Sequence, residues 1–416
     1  MSWLQLQSAV GLGLLCLLAW ALGGFRRGVR ARVVLAGLGS MLGGAALLLW
    51  LPGMRQVFAA ISNSIDVLTR ATRQGTSLVF GYLGGGTLPF AETAPGASFI
   101  LFFQALPLIL VVGALSSLLY HWRILPLVVG ALARGLRWAF GLSGACNLSV
   151  AANVFVGMVE APLLIRPWLA RLSMAELLVV MVAGLATISG NMLVLYAQMI
   201  GPYVPDAAGQ LLTASLISAP ASVLAGLLML PETHHANAAT ADDGAAPPLY
   251  QSSMDAIMQG TADAVQLMLN IMGSLIVFVA LVALVNAALE PLFGLTLQML
   301  AGWLFWPLAW AMGVPAAECA RVAELLGIKL VLNEFVSYLQ FAQSGGAGLG
   351  ERSRLILTYA LCGFANFGSV GIMVTGMVAM CPERRLDIAR LGLPSLWAGS
   401  IACCMAGATM GVLSNP

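Results

Sequence analysis

The sequence predicts an all-α integral membrane protein, and both its composition and its hydrophobic pattern indicate that class. Of the 416 residues, 60% are hydrophobic and 9% are charged, whereas a soluble domain carries about 25% charged residues. So few polar side chains cannot cover a water-soluble globule of this size. The apolar residues form long segments of about 20 residues, the length with which an α-helix crosses a bilayer. The lipid bilayer is therefore one partner of the chain.

Charge and cysteine content exclude several other classes. The net charge is only +2, so nothing indicates nucleic acid as a partner. Seven cysteines are scattered through apolar segments, and the chain has only three histidines. Because the cysteines lack the spacing of metal ligands, we interpret them as buried thiols rather than as metal or disulfide residues.

The first half of the chain predicts three crossings and two amphipathic helices. Apolar residues 3–23 precede the basic loop of Arg26, Arg27, Arg30 and Arg32, which the positive-inside rule places in the cytoplasm, so the N-terminus lies outside. A signal peptide is the alternative for this segment, but no basic residue precedes it and no convincing cleavage site closes it. A second crossing at 33–51 leads to an outer interfacial helix at 55–75 and a third crossing at 97–119. A basic, amphipathic inner helix follows.

Five further crossings complete a predicted total of eight. They lie at about 174–201, 207–231, 257–290, 354–380 and 388–413, with a loop of Ala, Asp, His and Pro at 232–249. With the N-terminus outside and eight crossings, the basic loop of Arg384, Arg385 and Arg390 falls inside, as the positive-inside rule requires.

Two stretches, 143–172 and 316–345, fit re-entrant hairpins better than crossings. Each is long enough for a pair of half-length helices, and each carries a carboxylate near its middle, Glu160 or Glu334. The letters Trp-Ala-Phe-Gly end at Gly141 before the first hairpin, and Trp-Ala-Met-Gly end at Gly313 before the second. The topology makes the two hairpins enter from opposite sides. Inverted repeats with broken helices are how many secondary transporters build a substrate site.

The polar residues of these segments predict a binding site at mid-membrane. A carboxylate at the bilayer centre costs about 2.5–3.5 kcal/mol, so it normally faces a cavity or a partner. Glu160 and Glu334 are hydrogen-bond acceptors for substrate hydroxyl or amine groups; the alternative is that they pair with Arg166 and Lys329. Asn366 and Ser369 share one helix face, as ligands or as contacts between helices. The side chains of Asn153 and Thr187, with the carbonyls of Val156 and Ile188, are oxygen ligands suited to Na⁺.

Six motifs resemble the concentrative nucleoside transporter family. They occur in the family's order at Asn153–Gly157 (NVFVG), Glu160–Pro167 (EAPLLIRP), Pro231–Thr233 (PET), Gly327–Lys329 (GIK), Asn333–Val336 (NEFV) and Cys362–Asn366 (CGFAN). The resemblance covers roughly residues 97–413. It implies an inverted-repeat, elevator-type transporter, assembled as a homotrimer in a bacterial inner membrane, that takes up nucleosides with a coupling cation. Na⁺ is the expected ion, and a proton carried by Glu160 or Glu334 is the alternative.

The resemblance also implies roles for individual residues. The substrate-binding set comprises Gly157, Met158, Val159, Glu160, Glu334, Phe364, Asn366 and Ser369, and the Na⁺ set comprises Asn153, Val156, Thr187 and Ile188. The family's hairpin tip reads Gly-Gln-Thr-Glu, whereas this chain has Met158 and Val159 in place of the two polar residues that meet the nucleobase. A nucleobase edge left unpaired costs about 1–3 kcal/mol per group. We therefore expect altered base selectivity, with a less polar or modified base or another hydroxylated solute as substrate. The alternative is that Met158 and Val159 are packing residues and that the base is read elsewhere.

The predicted organisation has four parts. Residues 1–119 form scaffold helices and the outer interfacial helix, 120–231 the first transport repeat, 232–296 a loop and a long scaffold crossing, and 297–416 the second transport repeat. A channel is the first competing class, but it needs a continuous polar path, and the crossings are mainly apolar. A membrane enzyme is the second, but no nucleophile with an adjacent histidine occurs, so we expect a transporter of a small molecule and not an enzyme.

Overall fold

The computed structural model describes residues 2–51, 53–92, 98–232 and 250–414. Throughout these ranges the regular secondary structure is helical, and no strand occurs in them. Most of the predicted loop at 232–249 lies outside the described residues.

The first three helices follow the predicted order. Helices α1 (Trp3–Leu22) and α2 (Ala31–Trp50) match the first two crossings closely. Helix α3 (Met54–Phe80) corresponds to the predicted interfacial helix but extends five residues beyond it. The extension is stabilised by Thr76, whose hydroxyl donates to the carbonyl of Gly84 at 2.7 Å and so holds the following turn against the helix.

The third predicted crossing is interrupted. It consists of a single turn, α4 (Leu101–Gln104), and the longer α5 (Leu108–His121), separated at residues 105–107. Pro107 occupies the N-cap of α5, where its missing N–H costs no intrahelical hydrogen bond. The amphipathic α6 (Ile124–Phe140) follows and ends at Gly141, whose φ of +70° suits a glycine C-cap.

The first hairpin differs from the predicted pair of half-length helices. Its first leg is α7 (Gly144–Asn153), but its second leg contains only the single turn α8 (Glu160–Leu163) and a 3₁₀ segment at Arg166–Arg171. Pro162 and Pro167 lie in this second leg, and a proline donates no N–H to a helix ladder. The second leg is therefore irregular.

Ten more helices complete the chain. The broken pair α9 (Met174–Ala186) and α10 (Gly190–Ile200) precedes α11 (Ala207–Met229), and α12 is the longest helix (Ser253–Phe293). The last six are α13 (Leu297–Ala311), α14 (Ala316–Val331), α15 (Glu334–Gln343), α16 (Glu351–Leu361), α17 (Phe367–Met380) and α18 (Arg385–Leu413).

The element order repeats. A single helix, a hairpin, a broken helix and a long helix occur as α6–α11 and again as α13–α18. A glycine with positive φ follows each of the two single helices α6 and α13, Gly141 at +70° and Gly313 at +91°. The two Trp-Ala-x-Gly motifs therefore mark equivalent turns into the hairpins. The inversion of one repeat relative to the other stays a prediction.

Three buried helices form the core. Nearly every residue of α9, α11 and the second half of α18 is buried, and α1 and α2 pack against α11 and α18. Helix α5 pairs with α12, which exposes large apolar side chains such as Ile276 and Leu284 along its other face. All seven cysteines are unpaired, and all but the half-buried Cys16 are buried.

Length and hydropathy mark the crossing helices. In the described part of the chain, seven helical segments are long and apolar enough to cross a membrane. The shorter apolar α17 has only 14 residues. The predicted crossing at 354–380 corresponds to α16 and α17 together, so the number of eight crossings stays a prediction. The protein is thus a multi-pass helical membrane protein.

Candidate substrate and cation site

Four interruptions of helices lie close to one another in the fold. They are the two hairpin tips at 154–159 and 332–333 and the breaks at 187–189 and 362–366. At the first hairpin, the N–H of Gly190 donates to the carbonyl of Phe155 at 2.9 Å, which joins the tip to the α9–α10 break. At the second, Glu334 contacts Asn366 in the α16–α17 break. Polar backbone groups freed from helices are thus concentrated in one region.

Glu334 is the most highly connected carboxylate of this region. Its Oε1 accepts a hydrogen bond from the hydroxyl of Tyr196 and its Oε2 accepts one from the side-chain amide of Asn366, both at 2.9 Å. Glu334 begins α15 directly after the N-cap Asn333, and its side chain is only 5% exposed. Two donors on different helices therefore fix the orientation of a carboxylate that keeps further lone pairs for a ligand.

Asn366 holds the α16–α17 break in place. Its amide donates to Glu334, and its Oδ1 accepts from the backbone N–H of Ser369 at 2.8 Å as the N-cap of α17. Asn366 and Ser369 are both buried. The structure thus brings Glu334, Asn366 and Ser369 together through one chain of hydrogen bonds.

Neither ion pair that the sequence offered as an alternative is present. The salt bridges among the described residues are Arg321–Glu324 and Arg384–Asp387. Lys329, the only lysine in the sequence, is buried and donates to the carbonyl of Ala360 at 2.9 Å, at the C-terminal end of α16. A cation is favourable there because carbonyls are unpaired at a helix C-terminus.

The first hairpin tip presents its carboxylate beside a glycine. The carboxylate of Glu160 occupies the space that a Cβ atom at Gly157 would take, so a larger residue at this position would displace the carboxylate. Glu160 is exposed, in contrast to Glu334. No hydrogen bond joins the two carboxylates in the described part of the chain, so each acts as a separate acceptor.

Met158 and Val159 are seated against glycines of neighbouring helices. The Cβ of Met158 lies 3.1 Å from where a Cβ would stand at Gly184 in α9. A methyl group of Val159 lies 2.9 Å from the corresponding point at Gly376 in α17. The two side chains that replace the family's polar pair therefore pack closely between α9 and α17 while remaining half-buried.

Two aromatic side chains flank the Asn366 region. Phe364 is half-buried in the α16–α17 break. The ring of Phe278 in α12 lies 3.0 Å from where a Cβ would stand at Gly368, two residues after Asn366. Phe278 thus brings the long helix α12 against the break, and a larger residue at 368 would have to displace its ring.

The predicted cation ligands lie at the first hairpin and the α9–α10 break. The hydroxyl of Thr187 donates to the carbonyls of Asn153, at 2.9 Å, and Ala183, at 2.8 Å. The amide of Asn153 donates to Ser149, but its Oδ1 is buried and has no hydrogen-bond partner in the described structure. Val156 and Ile188 follow in the same two segments. A buried, unpaired amide oxygen among neutral oxygens fits Na⁺, a hard cation that prefers oxygen ligands.

Three residues with clear contacts here were not predicted from the sequence. Tyr196 and Phe278 lie inside long apolar segments, where nothing distinguishes a site residue from a packing residue. Lys329 was considered only as a partner of Glu334, whereas it caps α16. Tyr196 contacts Glu334 across 138 positions of sequence, so its role depends on tertiary structure.

Family profiles cover most of the chain. The profile described as Na⁺ dependent nucleoside transporter C-terminus matches residues 210–411, and the corresponding N-terminus profile matches residues 10–83. A third profile, a gate domain described as nucleoside recognition, matches residues 102–203.

Full-length relatives agree with the profiles. Nucleoside permease NupC of Helicobacter pylori is 31% identical over 98% of this chain and 97% of its own. The uncharacterized transporter YutK of Bacillus subtilis is 36% identical over 92% of this chain and 93% of its own. Sodium/nucleoside cotransporter 2 of Rattus norvegicus is 32% identical over 97% of this chain, which spans 62% of that longer protein.

Solved structures of CNTnw share the fold. Its inward-facing, substrate-bound state superposes with a TM-score of 0.88 at 34% identity, covering 98% of this chain and 97% of that one. An outward-facing state gives 0.89 at 33% identity, covering 98% and 97%. The helical fold and its broken-helix site define a membrane transporter, not an enzyme. More particularly, the chain belongs to the concentrative nucleoside transporter family.

Proposed function

We propose that the protein is a cation-coupled symporter that carries nucleosides or nucleoside-like compounds into a bacterial cell. The observation that carries this proposal is Glu334, buried and oriented by Tyr196 and Asn366 where the broken helices meet. A carboxylate held in this way accepts two hydrogen bonds from adjacent hydroxyls. The vicinal hydroxyls of a ribose present that pattern, and Ser369 adds a further polar group.

The base end of the substrate is selected by the first hairpin tip. Met158 and Val159 offer no hydrogen bonds to a nucleobase edge, while Glu160 beside them accepts one. An unpaired polar group costs about 1–3 kcal/mol, or roughly 5- to 150-fold in affinity. The preferred substrate is therefore a ribosyl compound whose base is less polar or modified on the edge that meets these two residues.

Na⁺ is the proposed coupling ion. Asn153 Oδ1 lacks a partner, and the Thr187 hydroxyl donates to the backbone carbonyl of the same residue. The carbonyls of Val156 and Ile188 complete the ligand set that we propose. These residues would bind the ion next to the hairpin tip, so that ion binding orders the tip that contacts substrate. The ion is a co-transported solute rather than a resident cofactor.

The proposed assembly is a homotrimer in the inner membrane with an elevator-like motion of the repeats. Helices α5 and α12 pair with each other and are the fixed part in this proposal. Because α1 and α2 pack against α11 and α18, we group them with the moving repeats rather than with the scaffold, which revises the division at residue 119.

A second function rests on the same apolar tip. With Met158 and Val159 both apolar, a less polar hydroxylated solute that is not a nucleoside would fit the tip and still use Glu334. Glu160 is exposed and titratable, so a proton would be the coupling ion of this alternative.

Ligand binding to the purified protein distinguishes these functions. We would measure thermal stabilisation by uridine, modified nucleosides and base-free sugars, each with and without Na⁺, for the wild type and for the double variant Met158→Gln, Val159→Thr. The double variant should bind uridine at least about 5-fold more tightly than the wild type. A double variant Met158→Leu, Val159→Ile is the apolar control and should bind uridine as the wild type does.

Two outcomes would contradict the proposals. Equal uridine affinity of the wild type and the polar double variant would refute the altered base selectivity. If no nucleoside stabilised the protein, either in Na⁺ or at low pH, the substrate would be the alternative hydroxylated solute and not a nucleoside.

A further inference from the structure

A cavity of mixed polar and apolar lining lies under α3, apart from the hairpins. Its volume is about 180 Å³, and it is lined by side chains that include Thr69, Thr72, Arg73, Gln104 and Gln198, with Phe99 on an apolar wall. These residues belong to three separate parts of the fold, namely α3, the α4–α5 region and α10. The cavity is therefore formed between separate helices rather than within one loop.

The wall of the cavity is held in place by two side chains of α3. Thr76 donates to the carbonyl of Gly84 at 2.7 Å, and the Nε of Arg73 donates to the carbonyl of Gly85 at 2.9 Å. Both bonds fold the glycine-rich turn back onto α3. The guanidinium of Arg73 is exposed, and with its Nε engaged it keeps its two terminal nitrogens as donors for a ligand.

The chemistry of the lining favours an anion. The hydroxyl of Thr69 is buried and has no hydrogen-bond partner in the described structure. Gln198 adds an exposed amide, and none of the described residues that line the cavity is acidic. One positive charge with neutral donors around it matches a group that carries negative charge on several oxygens.

The position of the cavity favours a phosphate. Helix α3 is amphipathic, with Val57, Ile61, Ile65 and Leu68 at helical spacing among polar residues, the pattern of a helix that lies at the membrane surface. Phospholipid phosphates lie at that depth. We propose that this cavity binds a phosphate group, presented either by an anionic phospholipid headgroup or by a soluble phosphate.

The bound phosphate would connect the interfacial helix to the substrate site. Gln198 lies on α10 two residues after Tyr196, which donates to Glu334. A ligand that contacts both Arg73 and Gln198 therefore holds α3 and α10 together. This inference concerns a different cavity from the transport site and does not depend on the transported substrate.

The test is ligand-induced stabilisation of the full-length protein in a neutral detergent. The probes are phosphatidylglycerol, phosphatidylcholine and inorganic phosphate, with sodium chloride at matched ionic strength. We expect phosphatidylglycerol or inorganic phosphate to stabilise the wild type, and Arg73→Gln to weaken that binding about 10- to 100-fold. Arg70→Gln, one turn away on α3 and outside the cavity lining, is the matched control and should retain wild-type affinity.

The two sources give different results. Stabilisation by phosphatidylglycerol alone identifies a headgroup, and stabilisation by inorganic phosphate identifies a soluble ligand. Thr69→Val removes only a hydroxyl and should weaken binding about 2- to 10-fold, which provides a second test if Arg73→Gln does not fold. The proposal is overturned if neither probe stabilises the protein, or if Arg73→Gln and Arg70→Gln weaken binding equally.

Discussion

Tyr196 and Asn366 hold Glu334 from two helices, so the carboxylate is oriented before any ligand arrives. The change Tyr196→Phe removes one of these donors and keeps the ring that stacks on Tyr338 at 4.5 Å. Because a hydrogen bond to a charged group contributes about 1.5–3 kcal/mol, we expect about 10-fold or greater loss of substrate affinity. Titration of substrate while the unfolding temperature is recorded measures this loss of affinity.

The neighbouring tyrosine provides the control. Tyr338 donates to the carbonyl of Thr358 at 2.8 Å rather than to Glu334. Tyr338→Phe should therefore lower the unfolding temperature slightly and leave substrate affinity unchanged. Equal losses of affinity in both variants would mean that Tyr196 acts through packing alone.

The hydroxyl of Thr187 is the second residue to test. It donates to the backbone carbonyls of Asn153 and Ala183, and the side-chain Oδ1 of the same Asn153 is buried and unpaired. Thr187→Val removes the proposed Na⁺ ligand at constant shape, and we expect the stabilisation by Na⁺ to fall about 10-fold in apparent affinity. The titration of unfolding temperature against Na⁺ at constant ionic strength provides the measurement.

Thr213→Val is the matched variant for Thr187. The hydroxyl of Thr213 is also buried and donates to the carbonyl four residues earlier, Gly209, at 2.8 Å. This variant should lose some stability but keep its response to Na⁺. If both threonine variants respond to Na⁺ like the wild type, Thr187 is not a ligand of the coupling ion.

At the scale of elements, the hairpin tip and α17 fit together through one glycine. A methyl of Val159 lies 2.9 Å from the Cβ position of Gly376, closer than real Cβ contacts allow. Gly376→Ala therefore forces the tip away from α17 at a cost of about 1–3 kcal/mol. We expect lower substrate affinity and lower uptake in proteoliposomes.

Two further variants separate this contact from a general effect of alanine. Gly371 lies on the same helix with no atom within 4 Å of its Cβ position, so Gly371→Ala should behave like the wild type. Val159→Ala removes the opposing methyl groups and should restore part of the activity of Gly376→Ala. Additive losses in the double variant would show that the two positions do not interact.

The sequence predicted where the helices and hairpins lie more readily than it predicted whether each hairpin leg is a regular helix. The Trp-Ala-x-Gly motifs predict only a repeat, and the structure gives their physical reason: both end in a turn with positive φ, which favours glycine. The second leg of the first hairpin was expected to be helical, but Pro162 and Pro167 make it irregular. Proline position, rather than hydropathy, determined that outcome.

Across the whole molecule, packing partners could not be inferred from order in the chain. Helices α1 and α2 lie at the start of the sequence, yet they pack against α11 and against α18 at the other end of the chain. Tyr196 likewise meets Glu334 only after folding. Periodicity predicts which residues are buried within a helix, but it does not specify the helix on the other side of the contact.

Arg352 joins distant parts of this architecture. Its buried guanidinium donates to the carbonyls of Leu4 in α1, Gly313 before α14, and Gly411 and Ser414 at the end of α18, at 2.6–3.2 Å. It also donates to the hydroxyls of Ser8 and Ser414. A cation is stabilised here because the last carbonyls of a helix carry partial negative charge. One side chain therefore connects both ends of the chain.

The change Arg352→Met removes these donors and leaves several buried carbonyls unpaired, each costing about 1–3 kcal/mol. We expect a large fall in the unfolding temperature, with Arg352→Lys intermediate because an ammonium reaches fewer acceptors than a guanidinium. Arg354→Met is the control, since Arg354 is half-buried on the same helix and its Nε donates only to Leu349. If Arg352→Met were no less stable than Arg354→Met, the ends of the chain would be held by apolar packing of α1 against α18 and not by this arginine.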